Sequence, residues 1–192
     1  MSRLHYHYKT VIVQDLLETF EYKNLNQIPS IDKITLNCGL KFNNFNYKQL
    51  GPILVAFESL TGQRPTITRS VKDNASLKVR SGMVSGVKTT LRKEKMYLFL
   101  EQFILTALPR IKYFEGFPLV SLTQDGHFSL RFNPLDCLVL ETEYEKFNNI
   151  GPIDIVITTQ NSSYEESLVL FTGFQLPLIQ KDESVLPLPT PQ

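Results

Sequence analysis

The sequence has few of the residues that metal sites and nucleophilic enzymes use. It holds three histidines and two cysteines in 192 residues, and Cys38 and Cys137 lack the close spacing of metal ligands. His5 and His7 lie two residues apart on a predicted helix, a spacing that puts them on different faces, and His127 is remote. We therefore expect no enzymatic activity, no metal site and no cofactor.

Several sequence signatures are also absent. The sequence has no phosphate-binding loop of the G-x-x-x-x-G-K-[ST] type, no H-E-x-x-H helix and no G-x-S-x-G turn. No apolar run approaches the roughly 18 residues of a membrane span, so no membrane partner is expected. The start lacks an apolar signal core and an Arg-rich leader, so we expect the chain to be made where it works, or a presequence to lie outside this numbering.

Charge is distributed unevenly along the chain. Residues 1–112 hold 17 Lys or Arg and 8 Asp or Glu, a net charge of +9, whereas residues 113–192 hold 3 and 11, a net charge of −8. Such asymmetry favours two kinds of partner, a polyanion for the basic half and a basic surface for the acidic half. Solvated charge that segregates without a function is the alternative.

Apolar spacing predicts alternating helices and strands. Periods near four residues predict helices at about 4–20, 47–60, 93–108 and from Ser163, where Ser163 and Glu166 have capping-box spacing. Alternating apolar and polar residues predict strands at 31–38, 65–69, 86–92, 127–132 and 153–159. Residues 70–85 between two strands have few apolar anchors and are interpreted as a long mobile loop.

This order of elements predicts an α+β fold with one mainly antiparallel sheet and helices packed on one face. A single domain over residues 1–176 is expected, with a basic half at 1–112 and an acidic half at 113–176. Residues 177–192 are interpreted as a C-terminal tail, because they include Pro187, Pro189 and Pro191 and lack the apolar spacing of a packed helix or strand. Because the strands alternate, the other sheet face should be polar and accessible.

The polar positions of the first three strands carry hydroxyls, an amide and cations, and no carboxylate. They are Lys33, Thr35, Asn37, Thr66, Thr68, Lys88, Thr90 and Arg92. Gln63, Arg64 and Arg69 flank the second strand, and the predicted loop adds Lys72, Lys78, Arg80 and Gly82. These donors suit phosphate oxygens, ribose hydroxyls and base edges, so the face is a candidate RNA-binding surface.

The absence of aromatic residues from this face argues against base stacking and favours docking on the grooves and backbone of a folded RNA. A solvated face whose threonines reflect strand propensity is the structural alternative. Two other functions remain open: an enzyme acting on RNA, and a protein-interaction scaffold.

Several short motifs follow one another in a characteristic order along the chain. They include Tyr22-Lys23-Asn24, Ile34-x-x-Asn37-x-Gly39-Leu40, Leu60-Thr61-Gly62-Gln63-Arg64-Pro65, Lys88-x-Thr90-Leu91-Arg92, Ala107-Leu108-Pro109-Arg110 and Asp154-Ile155-x-Ile157-Thr158-Thr159. In the order and spacing of these motifs the chain resembles the universal large-subunit ribosomal protein five family, which anchors 5S rRNA. The resemblance runs from His7 to about Leu176.

The resemblance implies a large-subunit ribosomal protein whose sheet binds 5S rRNA, with key contacts at Asn37, Gln63, Thr68 and Thr90. It implies that the 70–85 loop reaches the peptidyl-site tRNA. It also implies an intersubunit bridge to small-subunit ribosomal protein thirteen, which fits the acidic residues Asp136, Glu141, Glu143 and Glu145. Large-subunit rRNA is a further implied partner. A non-ribosomal RNA-binding module built on the same fold is the alternative function.

The sequence departs from the family at three places. Lys41 and Phe42 replace a glycine and an acid, and Lys93 replaces a glycine after Arg92. In the loop, Asp73 reduces the positive charge of a basic pair. The segment 170–183 resembles plant and algal mitochondrial members. A mitochondrial ribosome in the matrix is therefore expected, with a bacterial cytoplasmic or plastid member as the alternative.

Overall fold

The computed structural model describes residues 2–40, 47–76, 79–111, 114–133 and 150–179, with the backbone alone for 47–49. It confirms the predicted α+β fold, with helices against one face of a mainly antiparallel sheet. Among these residues no helix combines the length and the apolar character that crossing a membrane requires.

Seven strands are present in the described residues: β1 (Ser30–Gly39), β2 (Thr66–Arg69), β3 (Val84–Leu91), β4 (Phe117–Pro118), β5 (Phe128–Phe132), β6 (Ile153–Gln160) and β7 (Leu178–Ile179). Five of them form one sheet in the order β2-β3-β1-β6-β5, and every neighbouring pair in it is antiparallel. The central strand β1 therefore joins the two halves of the chain, because β3 lies on one side of it and β6 on the other.

The helices are α1 (Arg3–His7), α2 (Val13–Thr19), α3 (Tyr47–Thr61), α4 (Lys93–Gln102) and α5 (Tyr164–Gly173). A π-helical turn, Tyr8–Ile12, joins α1 to α2. A second π-helical turn, Phe103–Ala107, and a 3-10 turn, Leu108–Arg110, continue α4. The predicted helices at 4–20 and 93–108 are thus confirmed as helical segments with local changes of pitch.

Two caps fix the ends of predicted helices. Gly62 adopts φ +59° after α3, and its N–H donates to the Glu58 carbonyl at 2.8 Å, which forms a left-handed cap. Ser163 begins α5 with the predicted capping box, because its N–H donates to the Glu166 carboxylate at 2.7 Å. Pro52 is the sixth residue of α3 and lies inside the helix.

The core lies between the sheet and the helices. Ile34, Leu36 and Cys38 of β1 are 0% exposed, which confirms the predicted alternation of that strand. Aromatic rings tie the C-terminal elements to this core, with Phe128 of β5 at 5.5 Å from Phe117 and 5.2 Å from Phe171 of α5, measured between ring centroids. Burying one face in this way leaves the opposite sheet face for other contacts.

The parallel pair of β4 and β7 was not predicted. The Phe117 N–H donates to the Pro177 carbonyl at 2.8 Å, and Leu178 and Ile179 pair with Phe117 and Pro118. Paired backbone therefore continues three residues beyond the predicted end of the domain at 176. Residues 180–192 of the predicted tail lie outside the described residues.

Candidate RNA-binding face

Antiparallel register places polar residues from all five strands in one row across the open face. Lys88 is the cross-strand partner of both Thr66 and Asn37, Asn37 is also the partner of Asp154, and Asp154 is the partner of Arg131. At about 4.8 Å between strands, this row spans roughly 19 Å. The face is therefore long enough to contact several nucleotides at once.

A second row runs parallel to the first. Thr35 pairs with Thr90 on one side and with Val156 on the other, and Val156 pairs with Ser129. Lys33 pairs with Thr158 one step further along. The structure thus brings together six predicted RNA-binding residues on the three N-terminal strands: Lys33, Thr35, Asn37, Thr66, Lys88 and Thr90.

Some polar groups of the face already have protein partners. The Thr66 hydroxyl donates to the Lys88 carbonyl at 2.9 Å, and the Gln63 amide nitrogen donates to the Thr90 carbonyl at 3.3 Å. Gln63 therefore joins the chain that enters β2 to the end of β3, with Arg64 exposed beside it. A carboxamide has two N–H donors and one oxygen acceptor, so this bond leaves Gln63 further capacity for a ligand.

The prediction that this face lacks carboxylates is wrong at Asp32. An irregularity in the β1–β6 register between Ile31 and Lys33 inserts Asp32 as an extra residue of β1. Its carboxylate accepts a hydrogen bond from Arg92 at 3.2 Å and lies 4.0 Å from the Lys33 ammonium. Alternation alone could not reveal this, because a bulge shifts the period by one residue.

Asp154 is a second carboxylate on the sheet face, in the half contributed by β6. Its oxygen accepts a hydrogen bond from the Arg131 guanidinium at 2.6 Å, and this bond raises the pKa of Arg131. The pair is exposed to solvent, so it adds little to stability. Both carboxylates among the described residues of the face are therefore matched by an arginine, and the cations Lys33 and Lys88 leave this part of the face with positive charge.

The predicted loop between β2 and β3 is a hairpin-like arm with internal hydrogen bonds. Asn74 and Val79 exchange backbone hydrogen bonds of 2.8 and 3.0 Å, and the Asp73 carboxylate accepts a bond from the Ser81 N–H. At the base of the arm the Arg69 guanidinium donates to the Gly82 carbonyl at 3.0 Å. Lys72 and Arg80 are exposed on this arm.

Thr68 is half-buried opposite Gly86, where a Cβ on Gly86 would lie 2.6 Å from the Cys38 carbonyl oxygen. Close approach of β1 and β3 at this point therefore requires glycine.

Several residues named in the sequence analysis lie outside the described residues. They are Lys78 of the arm, the departures Lys41 and Phe42, and the predicted bridge residues Asp136, Glu141, Glu143 and Glu145.

Residues with catalytic chemistry are dispersed. His5 packs edge-on against Tyr97 at 4.7 Å, His7 Nε2 lies 3.2 Å from the Gly173 carbonyl oxygen, and His127 Nδ1 lies 3.3 Å from the Thr159 hydroxyl. Burial raises the pKa of the Cys38 thiol, which disfavours the nucleophilic thiolate. Within the described residues no group of three or more His, Cys, Asp or Glu could hold a metal ion.

Sequence reasoning confined the polar face to the N-terminal half and missed the share of β5 and β6. The alternation of Phe128, Leu130 and Phe132, and of Ile153, Ile155 and Ile157, already contained the signal. All six are buried, so the residues between them, including Arg131, Asp154 and Thr158, lie on the same side as Asn37. The pairing of β6 with β1 is what joins the two halves into one surface.

Comparison with known proteins agrees with this architecture. A model for ribosomal protein L5 matches residues 24–80, and a model for the C-terminus of the same ribosomal family matches residues 84–178. The two matches meet within the arm between β2 and β3. Together they include every strand of the five-stranded sheet.

Curated relatives match over nearly the whole chain. The large ribosomal subunit protein uL5m of Reclinomonas americana is 39% identical over 181 residues, which is 93% of this chain and 98% of the relative. The uL5c protein of Rhodomonas salina is 37% identical, covering 89% of this chain and 94% of its own. The uL5 protein of Blochmanniella floridana is 35% identical over 95% of both chains.

Full-length similarity of this kind, together with the two family matches, leaves no role for the enzymatic alternative. The chain belongs to the ribosomal protein L5 family, whose members are structural, non-enzymatic proteins of the large ribosomal subunit.

Proposed function

We propose that this protein binds 5S rRNA through the open face of its five-stranded sheet. The observation that carries the proposal is the row of cross-strand partners Thr66, Lys88, Asn37, Asp154 and Arg131. It sets an exposed amide beside an exposed ammonium, with a hydroxyl on the next strand. Phosphates and ribose hydroxyls are the groups that such a row can bind together.

The composition of the face favours a folded RNA over a flexible single strand. None of its described residues is aromatic, so it offers no platform on which successive bases could stack. Hydrogen bonds to 2′-hydroxyls and phosphates across a groove are the mode that hydroxyl, amide and ammonium groups support. Binding of about five phosphates gives an expected log–log slope of affinity against salt near −4.

Asn37→Ala tests the site directly. Asn37 is exposed at the centre of the row, so removing its amide should leave a desolvated RNA group without its partner and weaken binding to 5S rRNA by about 1–3 kcal/mol. Filter-binding titrations at several salt concentrations measure this. Gln14→Ala, which removes an exposed amide from α2 on the helical side, is the matched control. Wild-type affinity of the Asn37 variant would remove the site assignment.

Gln63→Ala gives a less direct test of the same face. The Gln63 side chain bonds to the Thr90 carbonyl, so its loss alters the protein as well as any RNA contact. Asn37 has no such structural role among the described hydrogen bonds, and its variant therefore reports on RNA more cleanly.

The arm between β2 and β3 is proposed to contact the peptidyl-site tRNA. Its exposed cations Lys72 and Arg80 support this, whereas Asp73 is used within the arm. Replacing both cations with alanine should weaken tRNA retention by reconstituted large subunits several-fold, about one phosphate contact per residue, and leave 5S rRNA affinity within twofold. Equal losses of tRNA retention and of 5S rRNA affinity would contradict the proposal that the two RNAs contact separate surfaces.

The acidic segment with Asp136, Glu141, Glu143 and Glu145 is proposed to bridge to the basic small-subunit ribosomal protein thirteen. The proposal is based on charge in the sequence. Glu141→Lys combined with Glu143→Lys should preserve 5S rRNA binding and weaken subunit joining, as measured by sedimentation. Unchanged joining would count against the bridge.

A mitochondrial ribosome is the proposed location. The identity of 39% to the uL5m protein supports it, beside 37% to the plastid uL5c protein and 35% to the bacterial uL5 protein. Detection of the protein in large subunits purified from mitochondria tests this, and recovery from plastid ribosomes alone would contradict it.

A further inference from the structure

Lys93 occupies a backbone conformation that ordinarily selects glycine. Its φ is +54°, and it stands between the end of β3 and the body of α4 with its side chain exposed. A side chain with a Cβ is disfavoured in this left-handed region. Uncommon backbone conformations of this kind are found most often at functional sites.

The surroundings of Lys93 form a basic corner, which we define as Lys33, Arg64, Arg92, Lys93 and Lys95. Three hydrogen bonds join its elements: Arg92 to the Asp32 carboxylate at 3.2 Å, Gln63 to the Thr90 carbonyl at 3.3 Å, and Lys95 to the Gly62 carbonyl at 3.0 Å. The first bond fixes the end of β3 against β1. The other two fix the end of β3 and the start of α4 against the chain that leaves α3.

Within this corner the cations differ in what they bind. Arg92 is paired with Asp32, and Lys95 is hydrogen bonded to a carbonyl group at the end of α3. Lys93 has no hydrogen bond or ion pair to any residue of the described structure. Its charge is therefore available to an external anion, three residues beyond Thr90 in the chain.

We propose that Lys93 contacts an RNA phosphate and that its charge is kept at the expense of backbone strain. The proposal rests on the RNA-binding function above and extends the binding face from the strands to the β3–α4 corner. Two properties are then carried by separate parts of one residue. Affinity depends on the ammonium group, and stability depends on the presence of a Cβ at positive φ.

A set of three substitutions separates the two properties. Lys93→Gly removes charge and strain, Lys93→Gln removes charge and keeps the strain, and Lys93→Arg keeps both. Removing the charge should lower affinity for 5S rRNA about three- to tenfold at low salt and reduce the salt slope by about 0.7–0.9. Lys93→Arg should retain wild-type affinity within about twofold.

Thermal unfolding of the same variants gives the second readout. Lys93→Gly should raise Tm by about 1–3 °C, whereas Lys93→Gln and Lys93→Arg should stay near the wild-type value. The glycine variant would then be more stable and bind less tightly. A structural role for Lys93 would instead make Lys93→Gly lower both Tm and affinity.

Asn37→Ala, measured beside this set, separates the two hypotheses. If it weakens binding while the glycine and glutamine variants bind like the wild type, the Lys93 contact is wrong and the RNA face stands. If Asn37→Ala has no effect, the proposed face itself fails. An unchanged Tm for Lys93→Gly would show that the positive φ carries no strain, which overturns the second half of the proposal.

Discussion

Lys88→Glu is expected to weaken binding to 5S rRNA roughly a hundredfold without unfolding the protein. Lys88 is exposed and is the cross-strand partner of both Asn37 and Thr66, so its charge lies in the middle of the polar row. The substitution removes one phosphate contact, which is worth about tenfold at 0.1 M salt, and it adds a repulsive carboxylate of similar effect. Its stability should change little, because the side chain is exposed on a strand.

Filter-binding titration over a range of salt concentrations measures the loss. The salt slope should become shallower by about one, since one fewer counterion is released. Lys9→Glu is the matched control, because it makes the same change in net charge at an exposed position in the helical layer. Equal losses for both variants would show that total charge, and not the sheet face, determines affinity.

Phe128→Ala is expected to cost about 3–5 kcal/mol of unfolding free energy. Phe128 is 0% exposed, and its ring contacts Phe117 and Phe171 at centroid distances of 5.5 and 5.2 Å. Loss of this ring leaves a cavity where β5 and α5 meet. A cost of this size is a large share of the roughly 5–15 kcal/mol by which domains are stable.

Urea denaturation with an unchanged m-value measures this cost. Val120→Ala is the control, because Val120 is 84% exposed and its truncation should change stability by at most about 0.5 kcal/mol. A loss below about 1.5 kcal/mol for Phe128→Ala would mean that the core closes over the missing ring. Because β5 carries Arg131 and Ser129, the same variant should also show weakened RNA binding when partly unfolded.

Prediction from the sequence succeeded where burial imposes a regular period. The alternation of Ile34, Leu36 and Cys38 identified β1 and its polar side, and the Ser163–Glu166 spacing identified the start of α5. At these positions the orientation of a side chain, or the start of a helix, follows from the local backbone period alone. The fold class and most of the N-terminal face followed from that information.

Prediction failed where one residue disturbs the period or where distant segments meet. Asp32 entered the face through a bulge, and alternation assigns no side to an inserted residue. The β4–β7 pair joins segments about sixty residues apart with two residues each, which is too short for a periodic signal. Lys93 was visible as a replacement for glycine, but its φ of +54° was not.

The sequence by itself determined the kind of chemistry this protein offers: amides, hydroxyls and cations along strands whose other side is apolar, with scarce catalytic groups. Those properties follow from composition and local period. Tertiary structure alone decided that β6 pairs with β1, so that Asp154 and Arg131 complete a row begun by Thr66 and Lys88. Strand order depends on which hydrophobic faces can be buried together, and that is a property of the whole chain.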